Sequence, residues 1–109
     1  MTGLDAVSSR AFLLRIRPGK LEDYKRRHAA IWPEMLSALR EAGCVHYDIH
    51  VYEPLGLVFG HMLYRPQEPL VPEHPVILQW RAYMADVLEM DGGQPSREPL
   101  VHVFQLRGD

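Results

Sequence analysis

The chain has 109 residues, 47% of them hydrophobic and 24% charged, and a formal net charge of −2. That is the composition of one soluble globular domain. Its basic residues are scattered apart from Lys25–Arg27, which argues against nucleic-acid binding, and no run approaches the roughly 18 apolar residues of a membrane helix.

Met1–Ser9 carries Asp5 and no apolar segment, so it reads as a flexible N-terminal tail (residues 1–9) and not as a signal peptide. One domain is expected over 10–109. The single cysteine, Cys44, leaves no internal disulfide and points to a reducing cytoplasm. From Arg10 to Arg17 the chain alternates, with Phe12, Leu14 and Ile16 on one side, and predicts a strand. Pro18-Gly19 closes it.

Lys20 to about Ala42 has helical period. At 100° per residue Leu21, Tyr24, His28, Ile31, Trp32, Met35 and Leu39 share one arc, which should bury. Lys25, Arg26 and Arg27 lie mostly outside it and read as solvated. Pro33 removes a hydrogen bond and clashes with the carbonyl of Ala29. It also biases Trp32 away from helical angles. The expected result is a kink, or a break with Pro33 opening a second segment. Either leaves polar backbone near His28, a plausible lip for a pocket. Gly43 suits the end of the helix.

Val45–Tyr52 alternates again, with Val45, Tyr47, Ile49 and Val51 opposite His46, Asp48, His50 and Tyr52. Glu53-Pro54-Leu55-Gly56 is a turn, and Leu57–Arg65 returns as the second strand of a hairpin. Arg65–Glu73, with Pro66, Pro69 and Pro72, reads as a stiff loop. Pro75 suits the first turn of a helix from about His74 to Met90, with Val76, Trp80, Tyr83, Met84 and Val87 inward. Asp91 to Pro95 is loop, and Leu100–Leu106 is a last strand. The order β-α-β-β-α-β is the α+β, ferredoxin-like plan, an antiparallel sheet covered on one face by two helices. Apolar residues on both faces of its strands, as at Phe12 and Leu13, suggest a homodimer of the dimeric αβ-barrel type.

Metal chemistry is not expected. His46 and His50, four apart on a strand, stand about 13 Å apart and cannot chelate one ion as a pair. A Cys44 nucleophile lacks a local signature, and no glycine-rich phosphate loop is present. What remains is an aromatic, imidazole-bearing group between helices and sheet: Tyr24, His28 and Trp32, Tyr47 from the hairpin, and Trp80. Such side chains suit a sugar, which offers apolar C–H faces and outward hydroxyls. They equally suit a plain aromatic core.

Tyr24-Lys25-Arg26-Arg27-His28, followed by Ile31-Trp32-Pro33-Glu34, resembles the signature of the L-rhamnose mutarotase family. Gly43–His50 with Tyr47, His74-Pro75-Val76 leading to Trp80, Tyr83–Asp86 and Val103-Phe104 are also similar to it, so the match runs from about Phe12 to Leu106. The resemblance implies a dimeric ferredoxin-like protein that interconverts the anomers of a deoxy sugar, without metal or organic cofactor. It implies that Tyr24, Tyr47 and Trp80 bind sugar and that His28 is the proton donor. Trp32 and Arg81 join them as binding candidates. Three positions depart from the family: Trp80-Arg81 stands for a tandem Trp-Trp, Asp91–Ser96 for an Asn-Pro-Asp-Asn-Ser-Pro loop, and His102 for an acidic residue. The first two bear on the choice of sugar, and Arg81 could extend it to L-fucose. A dimeric αβ-barrel monooxygenase or haem-degrading relative, and a non-catalytic sugar-binding module, share the expected architecture.

Overall fold

The computed structural model describes residues 7–65, 72–106 and 108. Strand β1 runs Ser8–Arg15, helices α1 and α2 span Leu21–Ala29 and Pro33–Glu41, and strands β2 and β3 are Cys44–Tyr52 and Leu57–Tyr64. Helix α3 is Pro75–Tyr83, followed by the two-residue strands β4 (Met90–Asp91), β5 (Gln94–Pro95) and β6 (Glu98–Pro99). The main sheet has the antiparallel order β2-β3-β1-β6. With β6 as fourth strand this is the ferredoxin-like arrangement, and the chain is an α+β protein.

The alternation of β1 survives intact: Phe12, Leu14 and Ile16 are all buried, while their neighbours Leu13 and Arg15 are only half-buried on the other face. With Val58 from β3 they form the floor of a core roofed by Tyr24, Met35, Ala38, Trp80 and Met84. Gly60 lies directly under the ring of Phe12, where any Cβ would overlap it. A side chain is therefore excluded at that point of β3, and the ring can lie flat against the strand.

Pro33 breaks the long helical stretch outright. Trp32 takes extended angles (φ −67°, ψ 133°), as a residue before proline prefers, and Pro33 opens α2 at its first position. The sheet is thus covered by three helices instead of two. The third ends at Tyr83, short of the expected Met90, because the chain then turns so that Val87 O accepts from Arg17 N at 2.9 Å and Leu88 bridges Ile16. Met84, Val87 and Leu88 are buried all the same. Asp91 to Pro95 is a tight β4–β5 hairpin whose turn residues Gly92 and Gly93 both have positive φ (61° and 84°), the geometry for which paired glycines are favoured.

The strand expected at Leu100–Leu106 is not formed. Pairing with β1 stops at Pro99, which has no N–H to donate, apart from one bond from Leu100 N to Ala11 O. Beyond it Val101, Val103, Phe104 and Leu106 are 79–88% exposed, with none of the described residues covering them. The N-terminal strand begins two residues earlier than expected, at Ser8. The remainder of the proposed tail, residues 1–6, and most of the proline-rich loop, residues 66–71, lie outside the described residues.

Candidate active site

A cleft of about 900 Å³ opens between the helix-covered face of the sheet and the helices. Helix α1 supplies Tyr24 and His28, one turn apart. Strand β2 supplies Tyr47, helix α3 supplies Trp80 and Arg81, and the segment after β5 adds Arg97. Five of the six residues singled out in the sequence therefore meet at one cavity. Trp32 is the sixth, and it is not in the wall. It stands behind Trp80, edge to face at 5.0 Å, and packs on Tyr83 at 5.3 Å.

His28 is held on three sides. Its ring lies 4.3 Å from that of Tyr24 and meets Trp80 edge-on at 5.5 Å and 88°. Its Nδ1 is 3.1 Å from the backbone oxygen of Tyr24. A carbonyl can only accept, so Nδ1 carries the proton and donates, and the lone pair of the neutral imidazole sits on Nε2. Burial lowers the His28 pKa from its ordinary 6.5, while the bond to Tyr24 O partly opposes the shift. The physical cause is the cost of charging an imidazole among aromatic rings.

The two tyrosines are tuned the other way. Burial pushes the Tyr24 phenol well above its ordinary value of 10, and the nearby Tyr47 phenol adds to the effect. Tyr47 is also raised by burial, against the opposing pull of the Arg97 cation. Both are neutral hydroxyls at any physiological pH, able to hydrogen-bond a polyol but unsuited to act as bases.

Arg81 is not a free cation. Its guanidinium donates to both carboxylate oxygens of Glu73, at 3.1 and 2.7 Å, which raises its pKa and lowers that of Glu73. The pair presents a fixed polar edge to the cleft. Sequence periodicity missed Arg97, whose guanidinium lies 4.0 Å from the centre of the Phe12 ring, because a loop residue carries no period. It also missed His74, which lines the cleft and caps α3 by accepting from Val76 N at 3.0 Å. The signal for that one was present, in a cap-forming side chain followed by Pro75.

Arg27 corrects the solvated reading of the basic run. Its side chain is only 12% exposed. It donates to Tyr83 O at 2.6 Å and to Asp86 at 2.8 and 3.2 Å, and lies over the Tyr83 ring at 4.4 Å. Arg27 thus ties α1 to the end of α3 and fixes the wall that carries Trp80 relative to the wall that carries His28.

A family model described as L-rhamnose mutarotase matches residues 9–106. An L-rhamnose mutarotase of Sinorhizobium fredii is 45% identical over 100 residues, covering 88% of this chain and 95% of the relative. One from Rhizobium meliloti is 42% identical over 101 residues, covering 89% and 96%. Among solved structures, an L-rhamnose mutarotase from Formosa agariphila superposes with a TM-score of 0.81 at 25% identity, over 92% of this chain and 99% of that one.

Proposed function

The chain belongs to the L-rhamnose mutarotase family, and from that premise we propose the reaction and the residues that carry it. The protein is an isomerase that interconverts the α and β anomers of L-rhamnose. Opening the pyranose removes a proton from the anomeric hydroxyl and delivers one to the ring oxygen; the aldehyde then rotates and recloses. The observation that carries the assignment is the fixed tautomer of His28. With Nδ1–H committed to Tyr24 O, Nε2 takes the anomeric proton in one direction and, as imidazolium, donates it in the other. The complementary group donates to the ring oxygen during opening and recovers that proton on closure, a role for water or for a phenol held neutral.

Tyr24, Tyr47 and Trp80 form the sugar contacts, the first two through hydroxyls and the last as a flat apolar wall. Trp32 acts from behind, by bracing Trp80. Arg81, locked to Glu73, bears on which deoxy sugar fits. Line shapes and saturation transfer at the anomeric protons of L-rhamnose and L-fucose test both points. Exchange of neither sugar above the buffer rate would reject the reading. A preference for rhamnose above tenfold, about 1.4 kcal/mol, would remove Arg81 as a reason to extend specificity to fucose. The proton transfers proposed here use no organic cofactor. A haem-binding relative would instead take up haem stoichiometrically.

The desolvation of His28 has a pH signature. Protonating Nε2 removes the base, so exchange falls on the acid side. Because burial lowers the pKa from 6.5, that fall is displaced downward: the midpoint of the acid limb should lie below 6.5, with the rate dropping about tenfold per unit beneath it. A midpoint at or above 6.5, read from rates corrected for buffer exchange, would contradict this environment for His28.

We further infer one domain over residues 10–109, working in the cytoplasm as a homodimer. Among the described residues no helix is long and apolar enough to cross a membrane. Support for the dimer comes from the sheet face that no helix covers, where Leu13, Leu57, Phe59 and Leu63 are all partly exposed, Phe59 by 39%. A second copy laid on that face would bury them. Sedimentation at micromolar concentration should give twice the chain mass of 12.6 kDa, and Phe59→Asp should shift the protein to monomer. A wild-type monomer would refute the assembly.

A further inference from the structure

The uncovered sheet face carries a second cluster of chemistry that the mutarotase reaction does not use. Strand β2 places His46 and Asp48 two residues apart, hence on the same side of the sheet. The β2–β3 register sets Asp48 directly opposite His61. Opposed residues of an antiparallel pair have their Cβ atoms about 5 Å apart, so the three side chains converge. One donor atom from each lies within 4.8 Å of the other two. His46 Nε2 already meets Asp48 Oδ2 at 2.6 Å. The His46 and His61 rings are 6.3 Å apart, and Ser9 Oγ on β1 lies 3.1 Å from His61 Nε2 and steadies that ring.

We propose that His46, Asp48 and His61 form a binding site for a divalent transition metal of the zinc type, separate from the sugar cleft. Two imidazoles and one carboxylate are the donor set zinc accepts, and they are a poor match for calcium or magnesium, which take oxygen ligands. Tetrahedral zinc with ligands near 2.0–2.1 Å needs donor atoms about 3.3 Å apart. The difference would be taken up by rotation about the side-chain torsions of the two half-exposed residues, His46 and Asp48 (49% and 50% exposed). Three ligands leave a fourth coordination position, on the same sheet face where the second copy of the chain is proposed to lie. The pairing of His46 with His50 failed on distance along one strand. The second histidine comes instead from the neighbouring strand, where spacing along the chain does not reveal it.

The ion would tie edge strand β2 to β3 on the face opposite His28, so it should stabilise the fold and leave the sugar chemistry alone. The test uses the untagged, metal-stripped full chain in equilibrium dialysis against Zn²⁺, with bound metal counted by atomic emission. One ion per chain is expected. His61→Ala and Asp48→Asn should weaken binding more than tenfold, while His50→Ala, on the same face of β2, should bind as the wild type does. Saturating Zn²⁺ should also raise the melting temperature of the wild-type chain, a readout that stands even if a variant folds poorly. Absence of saturable binding, wild-type affinity in His61→Ala, or a melting temperature indifferent to Zn²⁺ would each overturn the site. Loss of anomer exchange on chelation would overturn its separation from the cleft.

Discussion

His28→Asn should abolish most of the catalysed anomer exchange while leaving a folded protein. Asparagine approaches histidine in volume and keeps a polar end, so the pocket between Tyr24 and Trp80 is not emptied. What disappears is a base that can change protonation near neutral pH. General acid–base help of this kind is worth about 10²–10⁴-fold, and mutarotation is slow but measurable in water, so the variant should fall by that factor towards the buffer rate. The melting temperature should move by only a few degrees, since His28 is half-buried and its ring hydrogen-bonds to its own helix. If His28 were merely a packed core residue, the pattern would invert, with a lower melting temperature and full exchange per folded molecule. Thermal melting by circular dichroism and saturation transfer on one sample separate the two. Undiminished exchange in folded His28→Asn would falsify the assignment.

Trp80→Ala should be the most destabilising single change in the site. Trp80 is 9% exposed and touches His28, Trp32 and Tyr83 at ring distances of 5.5, 5.0 and 5.5 Å. Removing an indole from such a position costs about 3–5 kcal/mol, a large part of the 5–15 kcal/mol typical of a whole domain. The midpoint of thermal unfolding should drop by more than about 10 °C. Trp80→Phe, which keeps a flat apolar wall, should lose less stability and retain sugar binding. A Trp80→Ala protein that melts within 3 °C of wild type would show that the aromatic stack is not part of the core.

The parts of this site that were legible in the sequence are those fixed by periodicity on one element. Tyr24 and His28 share a helical face, and Trp80 faces inward from α3, because an amphipathic helix has few other ways to bury its apolar residues. Tyr47 follows from the alternation of β2. Illegible features depend on which element lies next to which. Arg27 looked solvated by its angle on α1, yet Asp86 and the Tyr83 carbonyl, both near the end of α3, draw it into the interface. The early end of α3 reflects the pairing of Val87 and Leu88 with the segment after β1, a contact across some 70 residues that local propensity cannot anticipate. His61 joins His46 and Asp48 only through strand register. The segment 101–106 has the apolar content of a strand but no strand partner among the described residues.

Tyr24 contributes to His28 in two separable ways, by its phenol in the cleft and by its peptide oxygen at Nδ1. The second contribution belongs to the main chain and is retained whatever amino acid occupies position 24, provided the helix persists. In hydrolytic triads the corresponding role falls to a carboxylate side chain that one mutation can delete. The tautomer of His28 therefore does not depend on the side chain at position 24, only on the main-chain oxygen there. Tyr24→Phe should accordingly weaken sugar binding yet leave the acid limb of the pH profile where it is. Displacement of that limb would show that the phenol, and not the helix, sets the state of the imidazole.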